Sequence, residues 1–295
     1  MSQDDEGDAL EYLFSGAVGD SFVAMCKLAA GSPTPPRRLR RMCLHAGPDP
    51  TITRVAALFP QVTYEPDFIR FETIAEMREF AFANRNRYLN IFADGNGRGN
   101  EPDDPPGFTI EPFPELELSD GGAADLPSPV LGIHLHSGTP ASGLRVLAAQ
   151  SVAALCEALS DSSVRVVLFG TGDPVTDAEL DHLDDLGAHV TNMIGRDTFG
   201  EWVRMLTEVD LLITPEGFPA FLAMSQRVPT LALFTRADAV LRMPPEWRAR
   251  SVCVRPHLSG DSHAPRWELP EPVALGRTML ARFDPDALDR WECSA

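Results

Sequence analysis

The segment from residue 192 to residue 234 constrains the fold of this chain more than any other. Thr198 is expected to cap a helix, because Glu201 stands three residues later and completes a capping box. Apolar residues then recur at helical spacing. Residues 211–213 and 230–234 are short apolar runs of the kind that form buried parallel strands. The segment therefore predicts half of a doubly wound α/β sheet.

A tight acidic turn separates those two strands. Residues 215–217, Pro-Glu-Gly, break the chain, and a second apolar helix is predicted from about Pro219. In doubly wound sheets ligands bind beyond the carboxyl ends of the strands. Here that edge carries Gly195, Arg196, Glu216 and Gly217. We expect the binding site there.

The first part of the chain also alternates strands and helices. Strands are predicted at residues 12–17, 42–46, 62–64 and 88–92, and helices at residues 22–30, 51–59 and 71–84. Gly16, Gly19 and Asp20 form a turn between the first strand and its helix. Such turns face ligands, because N–H groups at helix N-termini attract anions.

A change in composition marks the predicted domain boundary. Residues 94–129 are dominated by Gly, Pro, Asp and Glu, which is typical of a linker. We therefore expect an N-terminal domain at residues 1–128, including this linker, and a C-terminal domain at residues 129–295.

The predicted C-terminal domain continues the same alternation. Strands are expected at residues 130–136, 164–169, 189–191 and 252–254, and helices at residues 145–159, 177–186, 272–283 and 285–291. His134 and His136 share one face of the first of these strands, since alternate residues point the same way. His136 is the better ligand candidate, because it stands at the strand's carboxyl end.

Charge and composition exclude several classes of function. The net charge of −18 argues against nucleic-acid binding. The basic cluster at residues 37–41 has two interpretations, a solvated strand approach or a contact for an anion or acidic acceptor. No run approaches the roughly 20 apolar residues of a membrane span, and the acidic N-terminus does not resemble a signal peptide. A cytoplasmic protein is therefore expected.

Cysteines and acidic residues give no sign of a bound metal. The five cysteines are scattered, and their spacing fits neither a zinc site nor a disulfide framework. Buried free thiols are expected instead. The Asp-Pro-Asp triplet at residues 284–286 precedes a predicted helix, where a capping role accounts for it.

The order of motifs in the second half resembles glycosyltransferase family 9, the heptosyltransferases of lipopolysaccharide synthesis and their relatives. The motifs are GIHLHSG at 132–138, LFGTGD at 168–173, MIGRDT at 193–198, TPEGFPAFLA at 214–223 and VPTLALF at 228–234. The Ser-Gly-Ala-Val-Gly-Asp stretch at 15–20 is similar to the family's glycine-aspartate turn. This resemblance covers residues 130–240 best. It implies a GT-B architecture, with two Rossmann-like domains facing a central cleft and the donor nucleotide on the C-terminal one.

The resemblance also implies an activity and a set of site residues. It implies an inverting, metal-independent glycosyltransferase that moves a heptose or hexose from a nucleoside-diphosphate sugar to a hydroxyl of a glycan, protein or small molecule, with no cofactor beyond this co-substrate. Asp20 stands where the family has its catalytic base, and Gly16 and Gly19 form the adjacent phosphate or acceptor turn. The expected donor-binding residues are His136, Ser137, Arg145, Gly170, Gly172, Asp173, Met193, Ile194, Gly195, Arg196, Glu216, Gly217, Phe218 and Phe221.

Three positions depart from the family pattern. Phe221 stands where the family usually has a histidine, and Glu216 stands where it has an aspartate. The family's lysine after the first strand of the second domain is missing, and Arg145 is the nearest cation.

Other interpretations of the same residues stay open. Asp20 also fits a helix cap, and Arg196 also fits a pair with Asp197 or Glu201. A non-catalytic binding or scaffold protein with the same fold, and an enzyme similar to nucleotide-sugar epimerases, are the alternative functions.

Overall fold

The computed structural model describes residues 10–15, 17–29, 37–44, 49–60, 62–84, 88–92, 129–137, 144–170, 182–183, 186–195, 198–234, 251–259, 266–269 and 271–283. The chain divides into two compact α/β units. Among the described residues, one unit contains 10–92 and the other contains 129–234 and 251–283. The predicted boundary at residue 128 lies outside the described residues and stays a prediction.

The N-terminal unit is a four-stranded parallel sheet with helices between its strands. Its order is β3-β2-β1-β4. In chain order the elements are β1 (Leu10–Ser15), α1 (Val18–Ala29), β2 (Arg37–Leu44), α2 (Pro50–Ala56), β3 (Val62–Phe71), α3 (Ile74–Ala83) and β4 (Tyr88–Phe92).

Local capping explains where two of these helices begin. Asp49 accepts a hydrogen bond from the Thr51 N–H, and Pro50 follows at the first helical position of α2. Thr73 and Glu76 form a complete capping box before α3. These signals are local in sequence, which is why they can be identified without the fold.

Two features of this unit differ from the prediction. Helix α1 begins at Val18, so Gly19 and Asp20 lie in its first turn and not in a turn before it. Strand β2 begins at Arg37, so the basic cluster lies within a strand, with Arg38 exposed and Arg41 buried. Pairing with both β1 and β3 extends this strand beyond its apolar part.

The C-terminal unit is built on a six-stranded parallel sheet, in the order β12-β11-β10-β5-β8-β9. A second, four-stranded sheet has the order β13-β14-β7-β6. The strands are β5 (Val130–His134), β6 (His136–Ser137), β7 (Arg145–Leu147), β8 (Arg165–Phe169), β9 (Val190–Asn192), β10 (Leu211–Pro215), β11 (Thr230–Leu233), β12 (Ser251–Val254), β13 (His257–Ser259) and β14 (Arg266–Glu268). The helices are α4 (Ala149–Ala158), α5 (Phe199–Glu208), α6 (Phe218–Ser225) and α7 (Pro272–Phe283).

The main core of this unit lies on one face of the six-stranded sheet. Leu131, Ile133 and Leu135 point into it from β5 and the residue after it, and Val152 and Leu155 from α4. Alternate β5 positions Gly132 and His134 therefore lie on the opposite face. Both faces of β5 are buried, which is typical of a parallel sheet covered by helices.

The described parts of the segment, residues 192–195 and 198–234, fold as predicted. Thr198 and Glu201 form both hydrogen bonds of a capping box at the start of α5. Strand β10, the acidic turn, helix α6 and strand β11 then follow in the expected order. The α/β fold class, with parallel strands and helical crossovers, is confirmed.

Two predicted elements of this unit were wrong in their extent. The expected helix from Arg145 begins only at Ala149, because Arg145–Leu147 pair with β14 and β6 as a strand. The expected strand 130–136 is interrupted at Leu135, whose N–H donates to Phe169 O at 3.0 Å while its carbonyl accepts from Leu147 N at 2.8 Å. Pairing with residues elsewhere in the chain therefore decides both where this helix begins and where the strand is interrupted.

Other predictions fall partly outside the described residues. These are the linker before residue 129, most of the predicted helix 177–186 and the predicted helix 285–291. Cys26, Cys43 and Cys156 are buried outside any disulfide, as expected, whereas Cys253 is only half-buried and Cys293 lies outside the described residues. Within the described part of the chain, every helix is too short or too polar to cross a membrane.

Candidate active site at the carboxyl edge of the C-terminal sheet

The strand order of the C-terminal sheet places a topological switch between β5 and β10. From β5 the chain proceeds through β8 and β9 on one side, and from β10 through β11 and β12 on the other. Ligands of doubly wound sheets bind at such a switch, beyond the carboxyl ends of the strands. His136 and Ser137 follow β5 here, and Glu216 and Gly217 follow β10.

Arg145 and Glu216 meet at this switch. Arg145 Nε lies 2.8 Å from Glu216 Oε1, and the two side chains are 26% and 12% exposed. The Glu216 N–H donates to Leu233 O at 2.8 Å, which fixes the acidic turn against β11. Two residues predicted separately from the sequence therefore form one ion pair.

Ser137 and Gly217 make the second contact across the switch. The Ser137 hydroxyl donates to the backbone carbonyl of Glu216. Gly217 has φ of +146°, and a Cβ there would lie 2.9 Å from Ser137 Cβ and 3.0 Å from Ser137 Oγ. Only glycine meets both the conformational and the steric requirement.

Helix α6 begins directly after Gly217. Its eight residues are all buried, and the Phe221 N–H donates to Gly217 O at 3.1 Å. The first N–H groups of a helix lack partners within the helix and carry partial positive charge, which attracts anions. Phe221 itself is buried and apolar, so it brings no hydrogen-bonding side chain to this edge.

The end of β8 packs against His136. Gly170 has φ of +151°, and a Cβ there would approach His136 Cδ2 and Nε2 to 3.1 and 3.2 Å. The Gly195 N–H donates to Gly170 O at 2.7 Å, which joins the ends of β8 and β9. Gly170 is therefore a neighbour of both His136 and Gly195, which follow the strands on either side of β8.

Residues after β9 line the next part of the same edge. The Met193 N–H donates to Leu168 O at 3.0 Å, and the Ile194 N–H donates to Asn192 Oδ1 at 3.0 Å. Met193 is half-buried, whereas Ile194 packs into the core. Met193 is thus the more accessible of the two at the edge.

The prediction missed an aromatic cluster on the face of β5 opposite the main core. Trp202 contacts Phe199 and Phe218 at centroid distances of 6.0 and 5.6 Å, and His134 packs edge-on against Trp202 at 5.4 Å. His136 lies 5.4 Å from His134. The shared face of the two histidines and the spacing of Phe199 and Trp202 were visible in the sequence. The contacts of Phe199 and Trp202 with Phe218 could not be predicted from that spacing.

Burial changes the protonation of His134. Loss of hydration lowers its pKa well below the usual value, the charge of His136 lowers it further, and a hydrogen bond with the His136 backbone opposes this in part. His134 Nδ1 is buried without a hydrogen-bond partner among the described residues. His134 is therefore a neutral packing residue at neutral pH.

Asp20 lies in the first turn of α1 in the N-terminal unit. Its Oδ2 accepts a hydrogen bond from the Ala17 N–H at 2.9 Å, which is a helix-capping contact. Gly19 beside it is buried. Asp20 is thus the third residue of the helix and not its N-cap, although its side chain caps the Ala17 N–H. The catalytic role of Asp20 stays a prediction.

Four predicted site residues lie outside the described residues: Gly16, Gly172, Asp173 and Arg196. Among the described residues, no cluster of three or more His, Cys, Asp or Glu side chains is arranged to hold a metal ion. The expectation of metal independence stays a prediction.

Comparison with known proteins confirms the resemblance. Residues 146–265 match the family model described as glycosyltransferase family 9 (heptosyltransferase). This match begins at β7 and includes the acidic turn and α6. None of the curated protein sequences that were compared matches significantly.

Two solved structures show the same fold. The ADP-heptose lipopolysaccharide heptosyltransferase II of E. coli aligns with a TM-score of 0.56 and 14% identity, over 92% of this chain and 98% of that one. A family 9 glycosyltransferase of Veillonella parvula aligns with a TM-score of 0.50 and 13% identity, over 84% and 86% of the two chains. The expected GT-B fold, with two Rossmann-like units, is confirmed.

Proposed function

We propose that this chain, whose residues 146–265 match glycosyltransferase family 9, transfers a sugar from a nucleoside-diphosphate donor to a hydroxyl acceptor with inversion. The observation that carries the proposal is the grouping of Arg145, Glu216, Ser137 and Gly217 at the topological switch of the C-terminal sheet. This is the place where α/β proteins of this kind bind nucleotides. The grouping joins two of the motifs that carry the resemblance, at 132–138 and 214–223, with Arg145 of strand β7.

The C-terminal unit supplies the groups for the donor diphosphate. When the bond to the sugar breaks, negative charge develops on the leaving phosphate. Arg145 and the N–H groups at the start of α6 stabilise that charge. Met193 and Gly195 flank the nucleoside in this proposal, since they follow β9, which lies two strands from β5 in the sheet.

Asp20 is the proposed base. Inversion in a single displacement needs one carboxylate to accept the proton of the acceptor hydroxyl. The Asp20 carboxylate is half-buried in the first turn of α1, with one oxygen on the Ala17 N–H. A metal ion is not required in this scheme, and no cofactor beyond the sugar nucleotide is proposed.

Ligand-dependent unfolding tests the donor site directly. The purified chain is heated with a panel of nucleoside diphosphates and their sugars. ADP and ADP-heptose come first, because the E. coli heptosyltransferase II is named for that donor. A ligand at 100 times its Kd adds about 2.7 kcal/mol to the free energy of unfolding, so one nucleotide should raise the Tm by several degrees. An unchanged Tm with every nucleotide would contradict the proposal.

Phe221 favours a second candidate, a binding protein without turnover. Its buried apolar side chain stands where the family usually has a histidine, so no titratable group is available there. Such a protein would show the Tm shift but release no nucleoside diphosphate with any acceptor. An epimerase-like enzyme would alter the sugar nucleotide with no acceptor present.

A further inference from the structure

The Arg145–Glu216 pair offers an incoming diphosphate little net charge. The two charged groups are 2.8 Å apart, and both side chains are largely shielded from water. A carboxylate beside the guanidinium cancels much of the attraction that Arg145 alone would exert on an anion. A site built only for tight phosphate binding would have no such carboxylate.

The backbone around Glu216 keeps its carboxylate at this edge. The Glu216 N–H is bonded to Leu233 O, and its carbonyl accepts from the Ser137 hydroxyl. Gly217 packs against Ser137 immediately afterwards. The turn is therefore held from both sides, and only the side-chain torsions of Glu216 are left to move.

The pair also fixes the direction of the guanidinium. The contact is made through Nε. An arginine held at Nε still has N–H groups on both of its Nη atoms to donate to a phosphate. Glu216 can thus orient Arg145 without occupying all of its donors.

From this geometry we propose that Glu216 is a positioning residue: it orients Arg145 and weakens binding of the nucleoside-diphosphate product more than binding of the sugar-nucleotide donor. This inference rests on the proposed function. Transfer forms a bond between the acceptor oxygen and the anomeric carbon and breaks the bond between that carbon and the phosphate oxygen, which keeps the electron pair. The acceptor proton passes to the base, and the nucleoside diphosphate carries one more negative charge than it did as a sugar ester. Repulsion by Glu216 therefore acts more strongly on the product than on the donor, and promotes its release.

The Glu216→Gln substitution tests this by removing the charge at nearly constant size. Calorimetry measures the Kd of ADP, ADP-heptose and inorganic pyrophosphate for the wild type and the variant. ADP and pyrophosphate should bind about fivefold more tightly to the variant, the scale of a partly exposed charge interaction, and ADP-heptose should gain less. In turnover, kcat should fall together with the inhibition constant of ADP, because product release becomes slower.

Two control variants separate this effect from others. Glu216→Asp keeps the charge at the site but shortens the side chain, so it should not show the tighter ADP and pyrophosphate binding expected of Glu216→Gln. Glu208→Gln removes one acidic charge from another Arg–Glu pair, the 3.8 Å contact with Arg204. Glu208 precedes β10, whereas Glu216 follows it, so the control charge lies at the opposite end of the same strand.

Each outcome decides the inference. Equal weakening of ADP and ADP-heptose binding by Glu216→Gln would overturn it, since Glu216 would then be an ordinary donor contact. An equal gain from Glu208→Gln would also overturn it, since overall charge would explain the result. If the wild type binds neither nucleotide, the proposed function fails for this donor, and pyrophosphate still decides: tighter binding by the variant supports the role of Glu216, and unchanged binding overturns it.

Discussion

At the scale of single residues, Gly217 is the most informative position of the candidate site, because both its φ and its contact with Ser137 require glycine. Gly217 has a positive φ and lies against Ser137 on the chain that follows β5. The steric constraint comes from the close approach of two strand ends. The residue between Glu216 and helix α6 is therefore restricted both in backbone conformation and in size.

The Gly217→Ala variant should be destabilised and should lose nucleotide binding. A residue with Cβ in that backbone conformation costs about 1–3 kcal/mol, and its Cβ would meet Ser137 at 2.9 Å. Chemical denaturation measures the loss of stability. Gly200→Ala is the matched control, because a Cβ at that helical position meets no atom within 4 Å. If the two variants are equally stable, the described backbone at Gly217 is wrong.

At the scale of elements, β5 separates two different environments. On one face Leu131 and Ile133 pack into the aliphatic core, and on the other His134 packs against Trp202 of α5. A histidine in such a place is kept neutral by burial. The packing of α5 on this strand therefore makes stability depend on pH.

The free energy of unfolding should fall below about pH 6.5 because of His134. Its folded pKa is lowered, so the unfolded chain takes up a proton that the folded chain does not, and stability is lost as the pH falls. The loss is at most about 1.4 kcal/mol per pH unit, the limit for the uptake of one proton. Urea denaturation of wild type and His134→Phe from about pH 7.5 to pH 5 measures it, as the difference in pH slope. An unchanged slope in His134→Phe would show that the imidazole is not buried as described.

At the scale of the whole molecule, donor binding and proton transfer belong to different units in the proposed reaction. Arg145, Glu216 and α6 belong to the C-terminal unit, whereas Asp20 belongs to the N-terminal unit. Donor binding and proton transfer should therefore respond to different substitutions.

The Asp20→Asn variant should keep donor binding and lose turnover. Removal of a general base reduces the rate by about 100-fold or more, whereas the donor contacts of the other unit are unchanged. Calorimetry and a transfer assay measure the two quantities separately. Glu76→Gln is the control, because Glu76 makes the equivalent capping contact at α3 in the same unit. Equal turnover of Asp20→Asn and wild type would leave Asp20 as a helix cap alone.

Features set by neighbours in sequence were predicted well. The capping box of Thr198 and Glu201, the apolar strand β10 and the break at Gly217 depend on residues within a few positions of each other. The same is true of helix α7, whose predicted range 272–283 agrees with Pro272–Phe283. Local propensity and hydrophobic periodicity depend only on residues close together in the sequence, so they can be identified without the fold.

Features set by distant partners were not predictable in the same way. Arg145 was placed in a helix, and only its pairing with β14 and β6 makes it part of a strand. That strand brings it to Glu216, and Ser137 reaches the same turn from 79 positions away. The sequence by itself determined which residue types follow the strands at the carboxyl edge, because strand ends are local. The tertiary structure alone decided which of these residues touch, because strand order sets which ends are neighbours.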